Sequence, residues 1–538
     1  MYWSFFGVLI ALVVPSIICG FYVYFRTEFT GTRPVLPLYL TAFDVESNWN
    51  SLASVAQHPK AITSIDGIRV LSMMLVVFGH QFSVSLEYGI GTWRNVVDVV
   101  ERVLDYDMII VPADLSVDSF FVMGGLVTAY VAQNKADKFF NFSSGRFGYG
   151  LYLDAKGAIA YLLFYLNRWM RLTPMMALMI WFANNVALDN GPGPGTGRYP
   201  SDGCQEEWWM ALLYVQGWLN KLSCQGQIWY LQCEFWFYLA FPLLAAFYAN
   251  NKTSGVILTL CFISLSCIHN GLASYVSDAQ LLHNWKMGQW SHGVYDGNGT
   301  YISSKPPNYQ RHPWHDFYFH PYARFHSYGV GILCGWFLKA VKQTPRLTKL
   351  QVIVAWSMCF AALFSGWYAM VVFFEPESIN DGIYDWSNGT AYDFDSVIIS
   401  TRIGKPFLVL HLFIKLKKGT AFWNSTTRTM WSIGVGLLIV ICHAGGGFII
   451  NTFLSCNIFT ILAKLTYIVY LIHIPLIMMW MTYMHGFLVF TQILNVSIDN
   501  KPSCKRSSTV LYTDSHGNVL LVTSVLHICL CGAGPCFH

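Results

Sequence analysis

Charged side chains are scarce in this chain: Asp, Glu, Lys and Arg make up 12% of its 538 residues, about half the roughly 25% usual in a soluble domain. That scarcity, together with 54% hydrophobic residues and a mean hydropathy of +0.42, excludes an ordinary soluble protein and leaves a polytopic membrane protein. Motifs are missing too. No HExxH, Gly-rich nucleotide loop or nucleophile elbow occurs, so nothing here points to zincin, P-loop or α/β-hydrolase chemistry. Repeats and low-complexity tracts are absent apart from the glycines of 191–197 and 445–447, which mark an external loop and a span end or kink. The net charge of +4 is small and spread over loops, which argues against a nucleic-acid-binding face.

What is present is a series of apolar runs near the ~20 residues that cross a bilayer, at 4–25, 66–86, 114–133, 172–188, 228–249, 254–273, 325–343, 352–374, 396–414, 431–450 and 457–484, with a weak twelfth at 508–531. The expected fold is therefore an all-α membrane protein of about 11–12 spans. Cytosolic loops are enriched in Lys and Arg. Loops carrying Arg26, Arg33 and Lys60; Lys135, Lys138, Arg146 and Lys156; Lys339, Lys342, Arg346 and Lys349; and Lys415, Lys417 and Lys418 are assigned to the cytosol. Loops 87–113, 189–227, 274–324 and 375–395 then lie outside, with the sequons at Asn298 and Asn388 open to glycosylation; those at Asn141, Asn251 and Asn424 face the cytosol. Lys464 dissents, which leaves the direction of the last spans open. The first span, 1–25, reads as a retained anchor rather than a signal peptide, and 26–60 as a cytosolic linker. Most of the 14 cysteines fall in spans. Cys204 and Cys224 share an external loop, which suggests a disulfide, two free thiols being the alternative.

The second span carries three ionisable groups. Asp66, Arg69, Met73 and His80 fall on one narrow face at 100° per residue, and such a stripe faces a cavity or another helix, because lipid leaves it unsatisfied. His80 lies about 16 Å along the axis from Arg69, past the midplane, as a general base or as a helix-packing group. Arg69 snorkels or binds an anion. Asp118, followed by Ser119, enters the third span at a similar depth, either to orient the imidazole or to cap its helix. Glu234, in an aromatic span, faces the same cavity or forms a salt bridge to Arg324. Arg168 and Arg171, at i and i+3, clamp phosphates or anchor a cytosolic surface. His473 has helix packing as its default role. The external His283, His292, His312, His315 and His320 lack ligand spacing, and no metal site is expected.

In order, Ser64-Ile65-Asp66-Gly67-Ile68-Arg69 with Gly79-His80, Val117-Asp118-Ser119-Phe120-Phe121, Arg168-Trp169-Met170-Arg171-Leu172-Thr173-Pro174, Trp229 to Tyr238, Arg324 before Gly331 to Gly335, and Tyr467 to His473 resemble the acyltransferase-3 superfamily, in its animal nose-resistant-to-fluoxetine-like branch. The resemblance implies a ten-helix acyltransferase core within 61–490, acyl-CoA as a cytosolic co-substrate with no bound cofactor, and a hydroxylated lipid, sugar or small molecule as acceptor. It maps the family's histidine to His80, its arginine pair to Arg168 and Arg171, and its first-motif arginine to Arg69. Two departures stand out. The large external domain that usually precedes the first span in animal relatives is not seen, and 491–538 does not look like the family's last span. The rival readings are a carrier for hydrophobic molecules and a catalytically inert scaffold. Endomembrane and plasma membrane both fit as locations.

Overall fold

The architecture was analysed in a computed structural model, which describes residues 2–56, 61–89, 111–133, 155–187, 202–219, 224–277, 318–340, 348–372 and 417–483, plus short strand segments. The helices are α1 (Tyr2–Thr30), α2 (Val45–Ala53), α3 (Ser64–Gly89), α4 (Leu115–Val127), α5 (Ala155–Phe182), α6 (Asp202–Leu212), α7 (Trp229–Asn250), α8 (Lys252–Ser277), α9 (Pro321–Ala340), α10 (Lys349–Val372), α11 (Lys417–His443), α12 (Phe448–Leu454) and α13 (Asn457–Tyr483). Among the described residues, five stretches, Gly226–Asn250, Lys252–Val276, Lys349–Ala369, Ala421–His443 and Asn457–Trp480, are long and apolar enough to cross a membrane by length and composition. The bundle is helical, as expected. Strand pairs such as Asn141–Gly145 with Gly148–Tyr152 lie outside it.

Glycine sets the closest contact. A Cβ at Gly331 would stand 2.1 Å from the Val122 carbonyl oxygen, and one at Gly125 2.2 Å from that of Tyr328. Small residues let α4 and α9 approach backbone to backbone. The register, 331 beside 122 and 335 beside 126, makes these two helices parallel. α11 runs with them, since Arg428 reaches Asp118, Trp431 reaches Ser119, and Gly436 lies against Cys334. α10 opposes α11, with the Cys359 thiol on the Gly434 carbonyl and the Trp356 indole on that of Gly446.

These directions correct the last spans. α11 begins at Lys417 rather than 431 and ends at His443, where Gly445 takes φ +79°, a conformation glycine adopts without strain. The expected span 396–414 lies outside the described residues, but Val372 and Lys417, which flank it, are at the same end of the antiparallel α10–α11 pair. Lys417 and Lys418 therefore stand opposite the face that carries Lys349, not beside it. α13 runs parallel to α3: Asp66 accepts a hydrogen bond from Thr460 near one end, and His80 meets His473 further along. Lys464 then joins the linker side, where its ammonium donates to the carbonyls of Ser51, Leu52 and Ser54 at 2.7, 3.2 and 2.7 Å. It thereby satisfies the orphan acceptors at the C-terminus of α2. Asp44, held by Arg33 at 2.8 Å, caps the other end of α2 through Ser47.

Two further expectations fail. Within 508–531, the described residues are strands, Ser508–Thr513 paired with Leu488–Gln492 and with Val519–Val522, not a helix. And α5 starts at Ala155, well before the expected 172, so Arg168 and Arg171 lie inside the helix rather than ahead of it. Pro475 in α13 removes an N–H, which frees the Leu471 carbonyl. The Gln227 amide donates to that carbonyl at 3.3 Å, tying α13 to the start of α7.

Candidate active site

α3 and α13 set the site, because they run side by side in register. His80 and His473 are each sixteen residues into their helices, about 24 Å along the axis in a hydrocarbon layer of about 30 Å. Both therefore lie toward the outer end. His80 Nδ1 is 3.3 Å from His473 Nε2 and 3.0 Å from the Val76 carbonyl, while His473 Nδ1 is 2.7 Å from the Tyr470 carbonyl. Around them, Tyr470 packs against Tyr230 with centroids 5.6 Å apart, and Phe120 and Phe121 pack against Tyr230. The Tyr470 hydroxyl donates to the Gln227 carbonyl.

A second group joins α5 to α7. Arg168 donates to Glu234 Oε1 at 2.5 Å, and its guanidinium lies 4.2 Å from the centre of the Tyr238 ring. Gly124 makes room for this carboxylate: a Cβ there would sit 3.2 Å from Glu234 Oε1. Glu234 thus pairs with Arg168, not Arg324. Arg171, expected beside Arg168 as the second half of a phosphate clamp, is exposed, and both arginines act electrostatically on the Tyr238 hydroxyl.

The third group is a fully interior charge cluster. Asp118 and Arg324 have no solvent exposure, and Arg428 has 7%. Asp118 accepts from Arg428 at 2.7 Å, from Arg324 at 3.2 Å and from the Ser327 hydroxyl at 2.8 Å. Asp114, just ahead of α4, accepts from Arg428 and from the Tyr318 hydroxyl. The Arg324 guanidinium stacks 4.0 Å from the Tyr318 ring centre. Two carboxylates and two guanidiniums cancel, which is how a membrane interior tolerates them. Asp118 makes no hydrogen bond to His80, so the expected orienting role does not match its position. Ser119 accepts from the Trp431 indole at 2.9 Å, and Asp66, one turn before Arg69, bonds Thr460.

Asp114, Tyr318, Ser327 and Arg428 were not singled out by the sequence reading. Arg428 carried a usable signal, as the one Asp, Glu, Lys or Arg between Lys418 and His443; the span drawn from 431 left it out. Cys204 and Cys224 are disulfide-bonded. Asn298, Asn388, His283, His292, His312 and His315 lie outside the described residues, and His320 stacks on Tyr322. Among the described residues, no three His, Cys, Asp or Glu side chains converge as a metal site.

Residues 62–499 match the model of the acyltransferase-3 family, described as an acyltransferase domain, and the chain belongs to that family as a multi-pass membrane protein. Over 451 residues it is 24% identical to nose resistant to fluoxetine protein 6 of Caenorhabditis elegans, covering 81% of this chain and 47% of the relative. The chain thus spans about half the length of that curated relative. No solved structure matches it.

Proposed function

We propose that the protein is an integral-membrane O-acyltransferase that moves an acyl group from a cytosolic acyl-CoA to the hydroxyl of a lipid, a sugar or another small acceptor. The observation that carries this reading is His80, an imidazole deep in a family-matched membrane core, with hydrogen-bond partners at Nδ1 and Nε2 left for chemistry. His80 takes the proton of the acceptor hydroxyl as that oxygen attacks the thioester carbonyl. The carbon–sulfur bond breaks, and the coenzyme A thiolate leaves with the proton returned from the imidazolium. Arg69, Arg168 and Arg171 serve the donor phosphates, and a donor reaching Arg168 competes with Glu234. Asp118 holds the helix frame through Arg324 and Arg428, which fixes where α4 stands against α3. Holding the two substrates in register supplies the remaining rate enhancement.

The test is transfer from labelled short- and long-chain acyl-CoA into lipid and glycan pools, in membranes with equal amounts of the native protein or His80→Ala. Label incorporated only by the native protein supports the reading. Absence of label with both, given broad donor and acceptor pools, refutes it and favours a carrier of hydrophobic molecules. The interior cluster of Asp114, Asp118, Arg324 and Arg428 supports that second reading, because buried charges also line transport paths. Uptake of hydrophobic probes that depends on Asp118 is its test.

A further inference from the structure

The hydrogen-bond partners of the two histidines determine which ring nitrogens carry hydrogen. His473 Nδ1 stands 2.7 Å from the Tyr470 carbonyl. A carbonyl only accepts, so that nitrogen is N–H and the Nε2 of neutral His473 holds a lone pair. That lone pair lies 3.3 Å from His80 Nδ1, which also sits 3.0 Å from the Val76 carbonyl. His80 Nδ1 therefore faces two acceptors, and the hydrogen of the neutral ring belongs there. Nε2 of His80 is left as the unprotonated nitrogen.

We propose that His473 is the positioning residue of His80: it accepts from Nδ1–H, fixes that tautomer and ring orientation, and so presents Nε2 as the base. In a serine-hydrolase triad a carboxylate does this. Here Asp118 is engaged by Arg324 and Arg428 and Glu234 by Arg168, while Asp114, whose charge reaches His80, is itself bonded to Arg428 and Tyr318, so that His473 supplies the direct contact to the ring. A neutral imidazole does the same geometric task without adding another negative charge to the membrane interior. The Val76 carbonyl alone serves less well, because it already accepts from the backbone N–H of the same helix turn.

The kinetic part of this proposal rests on the acyltransferase reading, and the spectroscopic part does not. In purified full-length protein labelled with 15N-histidine, and with His80→Ala to assign the signal, His80 shows a protonated Nδ1 and an unprotonated Nε2. The opposite tautomer overturns the proposal. His473→Gln keeps an acceptor near the position of ring Nε2, whereas His473→Phe fills the space without one. Acyl transfer by the Phe variant falls at least about tenfold in kcat with KM unchanged, the scale on which histidine-orienting partners act, while the Gln variant stays within about threefold of native. Equal kcat in the two variants, whether both high or both low at matched melting temperature, overturns it. If the native protein transfers no acyl group, the functional reading fails, while the tautomer measurement still decides the histidine pair.

Discussion

Arg428 bonds both buried carboxylates of the outer cluster, so replacing it tests the cluster as a unit. In Arg428→Met, Asp118 keeps Arg324 at 3.2 Å and Ser327 at 2.8 Å but loses its shortest charged contact, 2.7 Å. Asp114 keeps the Tyr318 hydroxyl. The group changes from two charges of each sign to a net negative charge at a site where Asp118 has no solvent exposure and Asp114 has 14%. Breaking a buried pair from one side costs about 3–5 kcal/mol. At about 2 °C per kcal/mol, the low end for large domains, melting falls by about 6–10 °C. Arg428→Lys restores the charge but bonds only one carboxylate, so its loss is roughly half as large, near the value of one hydrogen bond to a charged group. Melting in detergent is followed with a thiol-reactive dye, for which Cys233 and Cys359, both 0% exposed, are internal reporters. Adding Asp118→Asn to the Met variant removes the unbalanced charge, so it costs less there than in the native background, by about 0.5–3 kcal/mol of coupling. A Met variant within about 2 °C of native, or strict additivity with Asp118→Asn, refutes the reasoning.

Backbone contact at Gly331 predicts that Gly331→Ala forces α4 and α9 apart and loses about 1–3 kcal/mol, whereas Gly226→Ala, with nothing within 4 Å of its Cβ, leaves melting unchanged; equal shifts contradict the packing. Reducing Cys204–Cys224, 20 residues apart in sequence, lowers stability by about 3 kcal/mol, and Cys204→Ser gives the same loss without further effect of reductant. In the helix directions described above, exposed Cys456, kept as the single free cysteine after the other free thiols are replaced, labels with an impermeant maleimide from the same side as Thr32→Cys and from the opposite side to Lys417→Cys, each introduced alone in a background without Cys456. Labelling of Cys456 together with Lys417→Cys disproves that α11 carries the chain from one face of the bundle to the other.

The sequence made the helices legible wherever apolar length alone defines them, as in α7, α8 and α10. It failed at their polar ends. Thr426, Thr427, Arg428 and Thr429 made the first half of α11 look like loop, although Arg428 spends its charge inside the bundle on Asp118 and Asp114 and Thr429 meets Cys267 of α8, which hydropathy does not register. The same blindness delayed the start of α5 to 172, although Arg168 already has Glu234 as its partner. Lys464 dissented from the charge rule because the rule was applied to an alternation that was itself off by one crossing. Once α11 and α13 take the directions their contacts require, the lysine is an α2 cap on the side the rule predicts.

The site was legible in one coordinate and not in another. Depth along each helix can be counted from the sequence, and it brought His80, Asp118 and Glu234 to the outer half of the bundle. Counting gives no azimuth between helices, so two carboxylates at the depth of a histidine looked like its partners. Pairing is decided by which faces touch: α4 turns Asp118 toward α9 and α11, where Arg324 and Arg428 wait, and α7 turns Glu234 toward α5. His473, dismissed as helix packing because a lone histidine in a late span usually is, comes from α13, which runs parallel to and in register with α3. The carboxylate whose charge reaches His80, Asp114, has that charge answered by Arg428, which leaves the direct contact with the ring to His473. The imidazole partner follows from that balance of charges rather than from any motif in the chain.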